Sequence, residues 1–179
     1  MSEDIKKEVE RIFRLSSSPE ELFDTFRTTI ELRIKDVDLY KTLLRNKALS
    51  VDEIGMYSEK ICKEFPDMCY SIYFCTGQIL SSISTYGKYH DKAFGYYKKA
   101  AASQSALIEP YLAMVEMYNA ELNKPPFDDV VQALQEGIQT VNLKSKLCFT
   151  LADLFKSRGN EEMVKSFQIL GDLYKREGK

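Results

Sequence analysis

The chain's one histidine, His90, stands beside Asp91 at the expected start of a helix, and an imidazole next to a carboxylate is the pairing that general-base chemistry uses. Capping or surface exposure explains the same placement. No Gly-rich phosphate loop, His-Glu-x-x-His ligand pair or Gly-x-Ser-x-Gly elbow accompanies it. The carboxylate pairs Glu20/Glu21, Asp128/Asp129 and Glu161/Glu162 fall in the first turns of expected helices, where negative charge meets the positive end of the helix dipole. Cys62, Cys69, Cys75 and Cys148 are seven, six and seventy-three residues apart, a spacing that fits neither paired C-x-x-C metal ligands nor a dense disulfide framework. They are expected to be core thiols, with Cys acting as a small hydrophobe. The residues therefore predict no catalytic site, no metal and no cofactor.

Nucleic-acid chemistry has two candidate surfaces. Tyr86, Tyr89, Tyr96 and Tyr97 with Lys88, Lys98 and Lys99 can stack single-stranded bases, although the helical spacing of Tyr97 also suits packing. Between Arg27 and Lys47, the basic residues Arg27, Arg33, Lys35, Lys41, Arg45 and Lys47 face only Glu31, Asp36 and Asp38, which reads either as a solvated helix face or as a regulatory surface. Against both stands a net charge of −2, from 25 basic and 27 acidic residues, which provides no field to hold a phosphate backbone or an anionic membrane. The opening Met-Ser-Glu-Asp-Ile-Lys-Lys has no apolar core of a secretory signal, so a cytoplasmic protein is expected. The most apolar run, Tyr70 to Ile83, is interrupted by Gln78, Ser81 and Ser82 and is too short to span a bilayer.

The elements that would position these residues are helices. Composition, with 44% apolar and 29% charged residues and only 8 Gly and 5 Pro, is that of an ordered, mostly helical protein. Ile5, Val9, Ile12 and Phe13 mark a helix over 3–15. Ser18-Pro19-Glu20-Glu21 opens a second helix, expected to run to about Lys35, and Ser50-Val51-Asp52-Glu53 is a capping box that opens a fourth. Asp36 or Asp38 caps a short third helix that breaks near Asn46. Asp67 is expected to cap a long fifth helix reaching about Thr85, with a turn at Tyr86-Gly87-Lys88. Further helices are expected from His90 to Ser103 and at about 107–122, 127–140, 145–158 and 160–176. No strand-period run occurs, so the fold class is all-α.

The later helices share a spacing. Tyr73, Thr76, Gly77 and Leu80 correspond to Tyr111, Met114, Val115 and Tyr118, and these to Cys148, Leu151, Ala152 and Phe155, each at offsets zero, three, four and seven. The helices between them carry Ala93, Tyr97, Ala100, then Val130, Leu134, Gly137, then Val164, Gln168, Gly171. Small residues one turn apart let helix backbones approach closely. Both Ala100 to Tyr111 and Gly137 to Cys148 are eleven residues. This pattern over residues 69–176 resembles the tetratricopeptide repeat, a 34-residue helix-turn-helix unit. Ser105 and Asn142 stand where that family has its closing Pro, and two of the hairpin turns are a few residues longer.

The resemblance implies a right-handed α-solenoid of antiparallel helix pairs over 67–179, preceded by N-terminal capping helices over 1–66 that hold at most one degenerate repeat. It also implies a non-catalytic adaptor or assembly scaffold that binds another protein, as a peptide or helix, in a concave groove lined by the first helices. Carried onto this sequence, the groove positions are Ser71, Phe74, Gln78, Ser81 and Ser82, then Glu109, Leu112, Glu116, Asn119 and Ala120, then Lys146, Phe149, Asp153, Lys156 and Ser157. Phe74 and Gln78 stand where the family's chaperone-tail clamp has Lys and Asn, so that clamp is not expected. Phe74, Leu112 and Phe149 form an apolar line, either as peptide anchors or as groove-filling core. A homodimer, or a regulatory nucleic-acid-associated module using the Arg27–Lys47 face, are the alternative readings.

Overall fold

The structure is a computed structural model that describes residues 3–83 and 88–178, with the backbone alone for residue 3. Tyr86 of the tyrosine patch, the expected turn through Gly87 and the expected helix end at Thr85 lie outside the described residues. Among the described residues the fold is all-α: ten α-helices, one short 3-10 turn and, in place of any strand, an isolated β-bridge between Asn119 and Lys124. No helix among them is long and apolar enough to cross a membrane. The chain divides into two compact units, Met1–Ile79 and Leu80–Lys179.

The first unit holds α1 (Glu3–Leu15), α2 (Pro19–Glu31), α3 (Val37–Leu44), α4 (Val51–Glu64), the 3-10 turn Pro66–Met68 and most of α5 (Cys69–Ser82). Its helix starts follow from side-chain chemistry. Ser18 caps α2 by accepting from the Glu21 N–H, Asp36 caps α3 by accepting from Asp38 and Leu39, and Ser50 and Glu53 close a reciprocal capping box on α4.

Three element ends differ from expectation. Helix α2 stops at Glu31 because Arg33 takes a left-handed φ of 54°, and the N–H groups of Leu32, Arg33 and Ile34 turn back onto Thr28, Ile30 and Thr29. Asp67 does not cap α5. It lies inside the 3-10 turn, which follows Phe65 at φ −133°, and its carboxylate pairs with Lys35 at 2.8 Å. Helix α7 is also shorter than expected, for reasons given below.

One core fills the first unit, with Phe13, Leu22, Tyr40, Leu43, Leu44, Ile61 and Ile72 fully buried. The Phe26 ring lies 4.5 Å from Tyr57 and 6.3 Å from Tyr40, whose buried hydroxyl donates to the Ile34 carbonyl at 2.8 Å. Asn46 ties the end of α3 to the end of α1 by donating to the carbonyls of Phe13 and Ser16, each at 2.9 Å. A buried hydroxyl pair, Ser58 and Thr76 at 2.6 Å, joins α4 to α5. Each hydroxyl also lies within bonding distance of the carbonyl one turn back, so two protons serve three contacts.

The second unit holds the end of α5 with α6 (His90–Ser103), α7 (Glu109–Glu116), α8 (Phe127–Thr140), α9 (Lys144–Lys156) and α10 (Glu161–Arg176). Consecutive helices from α6 to α10 pack on one another, and α7 also meets α9. The small-residue positions do this packing. Ala93, Ala100, Val130, Leu134, Gly137, Val164 and Gly171 are buried, whereas Gln168 is exposed. A Cβ at Gly137 would come within 2.6 Å of the Tyr111 ring, and one at Gly171 within 2.8 Å of the Phe149 ring. A ring of a first helix thus lies over a register-equivalent glycine of the second twice, with Phe149 one residue past the position that corresponds to Tyr111.

Candidate functional site

Helix α7 ends at Glu116 because the following residues have better uses for their backbone. Asn119 and Lys124 exchange two backbone hydrogen bonds, at 2.8 and 3.2 Å, and the Asn119 side-chain oxygen accepts the Leu122 N–H at 2.9 Å. Pro125 and Pro126 then supply no N–H to extend a helix. Tyr118, expected inside a helix running to about residue 122, lies instead in this loop. Arg158 fixes the loop by donating to the Tyr118 hydroxyl and, at 2.9 Å, to Asn123 Oδ1, with its guanidinium 4.8 Å from the centre of the Phe127 ring.

Ending α7 there opens a cleft of about 410 Å³ within the second unit, lined by Ser81, Ser82, His90, Tyr97, Ala113, Glu116, Met117, Tyr118 and Asn119. Four of these, Ser81, Ser82, Glu116 and Asn119, are groove positions carried over from the repeat resemblance. His90, Tyr97, Met117 and Tyr118 were not anticipated in the site. Tyr97 was legible only as a large residue between two small ones; its ring is buried and its hydroxyl shares a hydrogen bond with Ser81 at 3.2 Å. Contact between His90 and the end of α5 cannot be read from local spacing. The His90 Nδ1 is buried with no hydrogen-bond partner among the described residues. Hydroxyls, an imidazole, a carboxylate and a carboxamide together offer donors and acceptors to a peptide backbone. Because the Asn119 oxygen is engaged by its own loop, its Nδ2 donors are what it can offer a ligand.

The other expected groove residues do not line this cleft. Phe149 and Asp153 line a second hollow of the same unit, about 490 Å³, with Leu143, Lys146, Thr150 and Lys175. Phe149 is half-buried against Gly171, so much of its ring serves packing. Leu112 is half-buried on α7 and Lys156 is exposed at the end of α9. Phe74 and Gln78 belong to the first unit, where the Phe74 ring stacks on Tyr70 at 5.9 Å and Gln78 is exposed.

The basic stretch from Arg27 to Lys47 is largely neutralised within the first unit. Arg33 pairs with Glu64 at 2.8 Å and lies 5.1 Å from the Phe65 ring centre, Lys35 pairs with Asp67, Lys41 with Asp38, and Arg27 stands near Asp24 and Glu31. Cys62, Cys75 and Cys148 are buried thiols whose pKa values burial pushes up, away from reactive thiolate. Among the described residues no three His, Cys, Asp or Glu side chains are grouped to hold a metal ion.

No protein-family model matches the chain, and no curated protein or solved structure matches it.

Proposed function

We propose that the second unit is a tetratricopeptide-like stack of helix pairs, and that the chain is a non-catalytic adaptor or assembly scaffold that holds an extended peptide of another protein in the Ser81–Tyr97–Glu116–Asn119 cleft. The observation that carries this reading is the convergence in one cleft of four residues picked out by repeat register from two segments more than thirty residues apart. Gly137 and Gly171, which share a register position, each lie under a ring of the preceding helix, which supports a repeated unit, although Phe149 stands one residue past the position that corresponds to Tyr111. The cleft's chemistry favours binding over catalysis. Ser81 shares its hydroxyl with Tyr97, an arrangement that orders a donor and acceptor pair, whereas an activated nucleophile needs a base positioned to take its proton.

Display selection of random peptides against the full chain, followed by affinity measurement on a Glu116→Lys variant, tests this reading. Selected peptides are expected to carry a basic residue that faces Glu116 and to bind the variant at least about tenfold more weakly, the scale of one charge-assisted contact. Equal affinity for both proteins would remove the cleft from the binding site. Glu116 is exposed at the end of α7, so the substitution leaves the fold intact.

A further inference from the structure

We propose that the chain forms a symmetric homodimer through the outer face of α10, two copies of this helix packing antiparallel about Ile169. The inner face of α10 is already used, since Val164, Phe167 and Gly171 are buried within the unit. On the opposite side lie Glu162, Lys165, Ile169, Asp172, Leu173 and Arg176, all exposed. At 3.6 residues per turn these six fall within an arc of about 100°. Ile169 is 63% and Leu173 48% exposed, the former the second most exposed large apolar side chain among the described residues.

Two exposed aliphatic residues would mean little alone. The order of charge around them is what selects a partner. Counted from Ile169, Glu162 lies seven residues before and Arg176 seven after, while Lys165 lies four before and Asp172 three after. In an antiparallel pair with Ile169 on the two-fold axis, a residue n positions before the axis faces one n positions after it in the other copy. Glu162 then meets Arg176 of the second copy, and Lys165 meets Asp172 with an axial offset of about 1.5 Å. Symmetry doubles each contact, which gives four opposite-charge pairs around a centre of two Ile169 and two Leu173 side chains. A parallel pair would instead place Glu162 against Glu162 and Arg176 against Arg176. Among the described residues none of these four charged side chains makes an ion pair within its own chain. A second copy of this chain therefore fits the face in both polarity and register.

A single helix pair covers less than the roughly 800 Å² per partner of a standard interface, so weak, concentration-dependent association is expected. Sedimentation equilibrium of the full chain over a concentration series tests this. Glu162→Arg and Arg176→Glu each set like charges against one another at both ends of the pair, and each alone is expected to weaken association at least about tenfold. An equimolar mixture of the two variants restores opposite charges at both ends, so a mixed dimer of wild-type strength should return. Circular dichroism checks that both variants keep their helix content. A wild-type chain that stays monomeric at about 1 mM overturns the proposal, as would a dimer that neither variant weakens. Loss in both variants without recovery in the mixture would also overturn it, because the pairing would not then be antiparallel about Ile169.

Discussion

At the residue scale the second unit depends on two glycines for opposite reasons from a third. Gly137 and Gly171 are sites of close approach, where a methyl group would enter the space of a packed ring. Gly95, also helical, has nothing within 4 Å of where a Cβ would stand. Alanine is favoured over glycine in a helix by about 1 kcal/mol, so Gly95→Ala is expected to stabilise the protein by up to that amount. Gly137→Ala gains the same term but overpacks the Tyr111 ring, and overpacking costs roughly 1–3 kcal/mol, so a net loss is expected. Denaturant unfolding of the two variants side by side checks the contrast; a stabilised Gly137→Ala would mean that Tyr111 is not held against α8. The buried hydroxyl pair Ser58 and Thr76 makes the same point in the first unit, since neither residue's worth can be read from its type, only from the other's position.

At the element scale a capping side chain marks where α2, α3, α4 and α10 begin. Asp36 caps α3 and also pairs with Lys6 of α1 at 2.5 Å, and chiefly through that lysine its carboxyl is held below the usual carboxylate range. A depressed folded pKa contributes stability that is present above the unfolded value near 3.9 and is lost as pH falls through the lower folded value. Asp36→Asn keeps a capping oxygen but removes the charge. It is expected to be less stable than wild type at pH 7 and to approach wild type as the pH is lowered below about 4, as urea unfolding at the two pH values would show. Asp36→Ala should cost about 1 kcal/mol more at pH 7 by losing the cap as well. The caps at Ser18 and Ser50 were legible in the sequence because one side chain and its next few backbone groups determine them, while the α3 cap was narrowed only to Asp36 or Asp38. The ends of α2 and α7 and the start of α5 were not. Arg33 adopts a left-handed conformation while its guanidinium reaches Glu64 at the end of α4 and Phe65 just beyond it, and the α7 loop closes through the Asn119 and Lys124 backbones. Asp67 looked like a cap because it precedes an apolar run, yet its carboxylate is taken by Lys35. Repeat spacing offered Ser81, Ser82, Glu116 and Asn119 among a longer set of groove positions, of which Phe74, Gln78, Leu112, Phe149, Asp153 and Lys156 do not line this cleft, whereas His90 and Tyr97 joined it through tertiary placement that spacing does not encode.

At the scale of the whole molecule, the second unit carries both proposed surfaces: the polar cleft proposed for a peptide and the outer face of α10 proposed for a second copy. The two surfaces share no residue, because those that line the cleft belong to α5, α6, α7 and the loop after α7. A partner peptide seated in the cleft, as proposed, lies against the chain's single histidine. His90 lines the cleft, so its imidazole carbon-bound protons form one self-assigned set of resonances. Titration of the full chain with a selected peptide is expected to shift these resonances in step with the binding isotherm, and the Glu116→Lys variant should need at least about tenfold more peptide for the same shift. A peptide that binds stoichiometrically while the His90 resonances stay unmoved would contradict this placement.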